Sequence, residues 1–448
     1  MIINVGKIIS YEQEIRKARL ISIKDNKILV CNYNGFLMLP GGKVDKNEYP
    51  EDALKRELKE ELGTNINDFC EFLTINNYAE NYPSRTSDKP VNRKCKTTYF
   101  ITNQNFKQKK DEANLSEKEK EGIFTTEYVD IDKLVSSINL ESLDYKKRIY
   151  AEELLRVINF YLKKDKLIDL HVHTNSSDGE HSPQETVNKA IEEGLNVVAI
   201  TDHDTIKGIN ELDLNDEKII IIPGIEISVK IKKGRMHILG LGINHQDENL
   251  LKFLKEMKEF NRHNVRNIIN YLQENGIHFN EEDIENLMHL EKNVGRPDVA
   301  KLLIKEGYVT GVQEAFDKYL IEAFIKSRHL NKGHNYKEVI EVINNANGIP
   351  ILAHPNSLEL DHHNFEILIK DMVANNLKGL EIFHPHMSEE EREYYYGIAE
   401  YYNLFISGGT DYHGEHVKPN IKLGTGINNV YITDLPLLKE LTKRKSNK

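Results

Sequence analysis

The stretch Leu167–Asp204 constrains this chain more than any other. His171 and His173 stand two apart at the end of an apolar run. In a strand, residues i and i+2 face the same side, so both imidazoles address one point. Asp178 follows in a polar loop of Asn, Ser and Gly. Ser182, Pro183 and Glu185 make a helix start with a capping box, and Gly194 ends that helix. A second apolar strand, Asn196–Thr201, delivers Asp202, His203 and Asp204. Successive strands that end in His and Asp suit a β/α barrel, whose catalytic groups come from the C-terminal ends of several strands.

At 448 residues the chain is long enough for two or three domains. Its 39% hydrophobic and 29% charged content is that of an ordinary soluble protein. No run is apolar enough to span a membrane, and Met1–Ser10 lacks a signal-peptide design, so a cytoplasmic protein without a membrane partner is expected. Cys31, Cys70 and Cys95 fit neither a zinc motif nor a disulfide framework. A net charge of −11 argues against a non-specific or stable nucleic-acid partner. It does not exclude a nuclease, because bound cations would offset clustered carboxylates. All 18 histidines lie at or beyond His171, and all three cysteines at or before Cys95. Composition therefore changes near residue 170, which predicts two domains, 1–163 and 166–448.

In the first domain, Arg19–Ile23 and Lys27–Asn32 read as strands around a turn at Asp25-Asn26. Tyr49–Leu62 reads as a helix closed by Gly63, with Ala53, Leu54, Leu58 and Leu62 as its apolar stripe. Glu57, Glu60 and Glu61 share another face, where three carboxylates repel unless a hard cation such as Mg²⁺ or Mn²⁺ reverses the sign of the interaction. Thr97–Thr102 and Glu127–Asp130 read as further strands. Leu143–Lys163 reads as a helix that connects the two domains.

Gly42, Glu48, Arg56, Glu57, Leu58, Glu60, Glu61 and Gly63 resemble the complete Nudix box, with Thr64 in place of the usual aliphatic residue at its end. The resemblance implies an α/β/α sandwich that hydrolyses a nucleoside diphosphate linked to another group. Glu57, Glu60 and Glu61 would hold Mg²⁺ or Mn²⁺, and Arg56 would orient a carboxylate. Relatives often place one more catalytic glutamate in a later loop, which points to Glu119 or Glu121.

From residue 166 on, strand and helix signals alternate. Metal-type ligands recur at or near the predicted strand ends: Glu226 after Pro223-Gly224-Ile225, His237 in Met236–Gly240, and His354 after Ile349–Leu352. Glu381 and His384 accompany Leu377–Phe383, and Asp411 and His413 follow Leu404–Ser407. The series His-x-His, Asp, Thr-Asp-His-Asp, Gly-Ile-Glu, Met-His, Ala-His-Pro and Gly-Thr-Asp-x-His-Gly resembles the polymerase-and-histidinol-phosphatase (PHP) superfamily. That resemblance implies a distorted (β/α)7 barrel with three divalent transition metals, Mn²⁺, Fe²⁺ or Zn²⁺. His171, His173, Glu226 and Asp411 would hold one, Asp178, His203 and His413 a second, and Glu226, His237 and His354 the third. Water acidified by two cations would attack phosphorus, while Asp202 and Asp204 would fix histidine tautomers.

Between about 247 and 334 helices interrupt the barrel pattern: Asn249–Asn275, Pro297–Glu306 and Gln313–Leu320. The insertion resembles the PHP branch that contains RNase AM and nucleoside 3′,5′-bisphosphate phosphatases, whose hallmark is Gly-Arg-Pro-His. Gly295, Arg296, Pro297 and Asp298 stand there, so Asp298 departs from the pattern. The resemblance makes Arg296 a phosphate clamp and brings His384 to the substrate. An acidic side chain at 298 would be unfavourable there unless it binds metal or pairs with Arg296. Together the motifs predict a bifunctional metal-dependent phosphohydrolase of nucleotides or short oligonucleotides, with nucleoside 3′,5′-bisphosphates or RNA 5′ ends as the phosphoesterase substrates. The alternative is a histidinol-phosphate-type phosphatase whose Nudix domain senses a nucleotide without cleaving it.

Overall fold

The computed structural model describes residues 2–5, 10–33, 36–83, 89–102, 104, 106, 113, 124–162, 167–290, 292–424, 432–433 and 436–446. The chain forms two compact units, one built on Met1–Asp165 and the other on Lys166–Ile427 with Ile432–Lys448. Glu119 and Glu121 lie outside the described residues. Among the described residues no helix is long and apolar enough to cross a membrane.

The first unit is a mixed sheet of β1 (Ile2–Val5), β2 (Gln13–Lys24), β3 (Lys27–Tyr33), β4 (Phe36–Met38), β5 (Gly41–Lys43), β6 (Cys70–Tyr82), β7 (Val91–Thr102) and β8 (Phe124–Asp130). Asp25 and Asn26, at φ 48° and 58°, make the tight turn between β2 and β3. Along β2 the side chains alternate between two cores. Ala18 and Leu20 meet Leu54, Leu58 and Leu62 of helix Pro50–Leu62 on one face. Ile21 meets Leu154, Val157 and Ile158 of helix Tyr145–Tyr161 on the other. The apolar stripe within 143–163 therefore covers the sheet as an outer layer of the sandwich, which a connecting helix alone would not require.

The second unit is a curled sheet of β9 (Leu167–Val172), β10 (Val197–Ile200), β11 (Ile220–Val229), β12 (Met236–Leu241), β13 (Ile349–Leu352), β14 (Gly379–Phe383) and β15 (Phe405–Gly408), with β16 (Ile432–Thr433) beside β9. From β9 to β15 neighbours run parallel except β12, which is antiparallel to both β11 and β13, and the short β16 is antiparallel to β9. This reversal distorts the barrel, and it places His237, near the start of β12, level with the ends of the parallel strands. The residues after β15 join the sheet's two edges. Asp411 N–H donates to His171 O (2.9 Å), His173 N–H donates to Tyr412 O (2.9 Å), and Val172 bridges Tyr412.

The insertion has its own core. Helix Glu248–Glu274 spans about 40 Å at 1.5 Å per residue. Its first half packs Leu250, Leu254 and Met257 into the barrel core. Its second half packs Val265, Ile268, Ile269 and Leu272 against Val299, Leu303 and Ala323 of the insertion. One rigid element therefore fixes the insertion to the barrel. Gly409 is where closure leaves least room, since a Cβ there would lie 2.3 Å from His171 Cβ. Gly409→Ala is expected to destabilise the second unit by about 2 kcal/mol or more, read as a lowered urea midpoint of its unfolding transition.

Candidate metal centre

Each strand end at one rim of the barrel contributes a polar side chain, and Glu226 of β11 is their meeting point. Its Oε2 lies 3.3 Å from His171 Nε2, 3.2 Å from His173 Nε2 and 3.1 Å from His203 Nδ1. Its Oε1 lies 2.8 Å from His237 Nδ1 and 3.0 Å from His354 Nε2. Asp411 Oδ1 reaches His173 Nε2 (3.2 Å) and His171 Nε2 (3.6 Å). Asp178 Oδ1 reaches His413 Nε2 (3.3 Å), and its Oδ2 approaches His203 Nε2 (3.9 Å). Three overlapping groups have ligand atoms within 4.8 Å of one another: His171, His173, Glu226 and Asp411; His173, Asp178, His203 and His413; and His203, Glu226 and His237.

The donor set fits divalent cations. His173 Nδ1, His203 Nδ1 and Glu226 Oε2 are buried without a hydrogen-bond partner, and the Nε2 atoms of His171 and His173 face each other at 3.1 Å. Lone pairs turned toward one another are what a cation satisfies. Burial alone would push the Glu226 carboxyl up, but His203, His237 and His171 hold it well below the usual range. Asp178 and Asp411 are held down in the same way, against burial, by His413 and His203 in one case and by Lys418, His413 and His171 in the other. The rim thus concentrates carboxylates in their anionic form.

The orienting carboxylate is Glu381 of β14, which lay unassigned in the sequence. It is fully buried, accepts from His171 Nδ1 (2.9 Å) and takes the His354 backbone N–H (2.7 Å). Its signal was a charged residue inside an apolar strand, since a buried carboxylate needs dedicated partners. Asp202 and Asp204 differ from expectation because neither hydrogen-bonds an imidazole. Asp202 accepts from Thr174 N–H (2.8 Å) and Ser177 Oγ (2.6 Å), which shapes the loop leading to Asp178. Asp204 accepts from Ser228 N–H (2.8 Å) and Asn261 (3.0 Å). Their carboxylates follow nearby backbone and side-chain donors, which were invisible without the tertiary fold.

His384 comes to the same rim, its Nε2 3.6 Å from Asp411 Oδ2, where Lys418 Nζ also lies at 2.6 Å. Arg296 starts the insertion helix Arg296–Lys305 and stacks on Phe324 and Phe316, with 4.5 and 5.5 Å to the ring centroids. Burial first, then the charges of Arg235 and Arg328, lower its pKa to about 10. Asp298 pairs with neither Arg296 nor the rim. It caps its own helix through Gly295 N–H (3.1 Å) and binds Lys292 (2.6 Å), so lysine neutralises it.

In the first unit, Arg56 holds Glu48 through two bonds of 3.1 Å and Glu57 through one of 2.8 Å. Glu61 accepts from Gly41 N–H (2.8 Å), and Glu60 lies 3.8 Å from Arg56. Glu57 and Glu60 share Arg56 while Glu61 turns to the Gly41 amide, and the three do not form a group as tight as those of the barrel rim. The glycine of the motif has a steric reason, because a Cβ on Gly42 would strike the Glu57 carboxylate at 2.2 Å.

Residues 169–415 match the family model of the PHP domain, more than half of the chain. The chain belongs to the PHP family. In front of the PHP domain, residues 15–152 match the model of the NUDIX domain, and the families of both domains make the chain a hydrolase that depends on metal. The PHP unit is 31% identical over 253 residues to a 5′-3′ exoribonuclease of Haemophilus influenzae, covering 55% of this chain and 90% of that one. It is 27% identical to a 3′,5′-nucleoside bisphosphate phosphatase of Chromobacterium violaceum, over 55% of this chain and 87% of the relative. A solved Chromobacterium violaceum structure described as an amidohydrolase superposes with a TM-score of 0.52 at 26% identity, over 62% of this chain and 96% of that one. In the PHP unit, Glu381→Gln keeps the shape of the side chain and removes its charge. It is expected to weaken Mn²⁺ binding roughly 10- to 100-fold, measured by titration calorimetry on metal-stripped protein.

Proposed function

We propose that the PHP unit is a metal-dependent phosphoesterase of nucleotides or short oligonucleotides, with nucleoside 3′,5′-bisphosphates or RNA 5′ ends as substrates. The NUDIX unit, in the same reading, cleaves a nucleoside diphosphate linkage with Mg²⁺ or Mn²⁺ held by Glu57, Glu60 and Glu61. The observation that carries the first part is the set of three overlapping ligand groups, two of which share Glu226, with Arg296 near Asp178 and in no ion pair with a carboxylate among the described residues. The names of the exoribonuclease and bisphosphate phosphatase relatives support the substrate class.

In this reading His171, His173, Glu226 and Asp411 hold one cation, and Asp178, His203 and His413 a second. Glu226, His237 and His354 hold a third, with Mn²⁺, Fe²⁺ or Zn²⁺ suiting the mixed imidazole and carboxylate donors. When bound, such cations supply the Lewis acidity that polarises a phosphate and acidifies water. The chain supplies the rest. Glu381 orients His171 through Nδ1 and leaves its Nε2 facing the centre. Ser357 Oγ does the same for His354 at 2.8 Å from Nδ1. Arg296 binds a substrate phosphate through its planar donor fork. His384 meets the substrate beside Asp411 and holds a proton at Nε2 for the leaving oxygen. A cytoplasmic location belongs to the same proposal.

The test is a product assay of the whole chain on adenosine 3′,5′-bisphosphate, 5′-monophosphorylated and 5′-triphosphorylated short RNA, ADP-ribose, dinucleoside polyphosphates and histidinol phosphate. Asp411→Ala should lower phosphoester cleavage by more than the roughly 10- to 100-fold typical of outer metal partners, and leave diphosphate cleavage intact. Glu60→Gln should do the reverse. Preferred cleavage of histidinol phosphate, or loss of both activities in either variant, would overturn the reading.

A further inference from the structure

We propose that Arg235 is a second phosphate-binding residue of the PHP unit, held in place by Arg328. Working with Arg296, it selects nucleotides that carry two phosphates over those that carry one. The inference rests on the phosphoesterase reading and names which part of the site reads the phosphate that is not cleaved.

Arg235 ends the loop before β12, two residues ahead of His237. Its backbone is stitched to the metal rim. Its N–H donates to Ser357 O (2.9 Å), and its own carbonyl accepts from Ser357 Oγ (3.0 Å). Ser357 Oγ in turn lies 2.8 Å from His354 Nδ1. The loop is gripped from the insertion as well. Arg328 donates from Nη1 to Lys232 O (3.0 Å) and from Nη2 to Gly234 O (3.1 Å). Gly234 is the position that allows this turn, at φ 72° and with Leu358 O 2.4 Å from any Cβ. A loop fixed on both sides of one residue presents that side chain in a set direction.

The guanidinium of Arg235 is exposed and meets no carboxylate among the described residues. Its surroundings are cationic. Arg328 and Arg296 flank one ring, Phe324, at 4.7 and 4.5 Å from its centroid. The backbone of Arg235 is held between Ser357, which holds His354 of the rim, and Arg328 of the insertion, whose guanidinium shares the Phe324 ring with Arg296. Guanidiniums gathered without a counter-charge repel one another, and an anion between them turns that repulsion into attraction. Arg328 spends its donors on carbonyls and serves as a positioning residue. Arg235 and Arg296 keep theirs for a ligand, and the planar fork of arginine matches two phosphate oxygens. A phosphate undergoing cleavage must lie on the carboxylate and imidazole groups around Glu226. Arg235, tied to the His354–Ser357 link through its backbone and outside every ligand group, is the donor assigned to the other phosphate.

The test compares adenosine 3′,5′-bisphosphate with adenosine 3′-monophosphate on Mn²⁺-loaded full-length protein. Arg235→Ala should raise KM for the bisphosphate roughly 10- to 100-fold with kcat little changed, the loss expected for a charge-assisted bond. KM for the monophosphate should move less than about threefold, within ordinary context effects. Arg235→Lys should fall between the two, because lysine keeps the charge and loses the fork. Lys233→Ala, in the same loop, should behave as wild type. Equal effects on both substrates, or none, would overturn the proposal. A second measurement stands apart from turnover: calorimetric binding of adenosine 3′,5′-bisphosphate to EDTA-treated protein. Binding that Arg235→Ala weakens about tenfold supports the subsite even if the phosphoesterase reading fails. Equal binding by the variant, or none by wild type, refutes it.

Discussion

One buried carboxylate organises the PHP unit. Glu226 is 1% exposed and has five imidazole nitrogens within 3.3 Å, drawn from His171, His173, His203, His237 and His354. An isolated carboxylate at that depth would be costly enough to shed its charge. Surrounded by imidazoles it stays anionic, and the strand ends that carry those imidazoles must converge on it. The polar centre therefore constrains the barrel's geometry as strongly as the apolar core constrains its packing.

That convergence needs two features of the sheet that a regular parallel barrel lacks. The reversal of β12 brings His237 to the shared rim from the beginning of its strand. The joining of residues 409–413 to β9 brings Asp411 and His413 against His171 and His173. Asp169 anchors the second feature. It is fully buried and accepts from Thr410 N–H (2.9 Å), Thr410 Oγ1 (2.6 Å) and Gly424 N–H (2.9 Å). Burial raises its pKa, and the donors of the joining segment oppose that rise. The NUDIX unit solves a related problem with less burial: Arg56 and the Gly41 amide share out three neighbouring carboxylates, at a loop that only glycine can form.

Much of this was legible in the residues themselves. His171 and His173 had to face together because a strand alternates sides. Ser182 and Glu185 had to start a helix, since each satisfies the other's backbone N–H. The apolar stripe of 50–62 had to lie on a sheet. The order of ligand-type residues along the chain carried the family and its chemistry. Side-chain partners chosen by distant elements were not legible. Glu381 lies 210 residues from the His171 it orients, Arg328 lies 94 from the Gly234 it grips, and Asp202 turned to Thr174 and Ser177 when a histidine was expected. Local pattern determines which groups exist and which face they share, because strand and helix periods are properties of the backbone. Which buried donor meets which acceptor was decided by the tertiary fold alone, because a hydrogen bond a few tenths of an ångström long or short depends on how strands far apart in sequence are brought together.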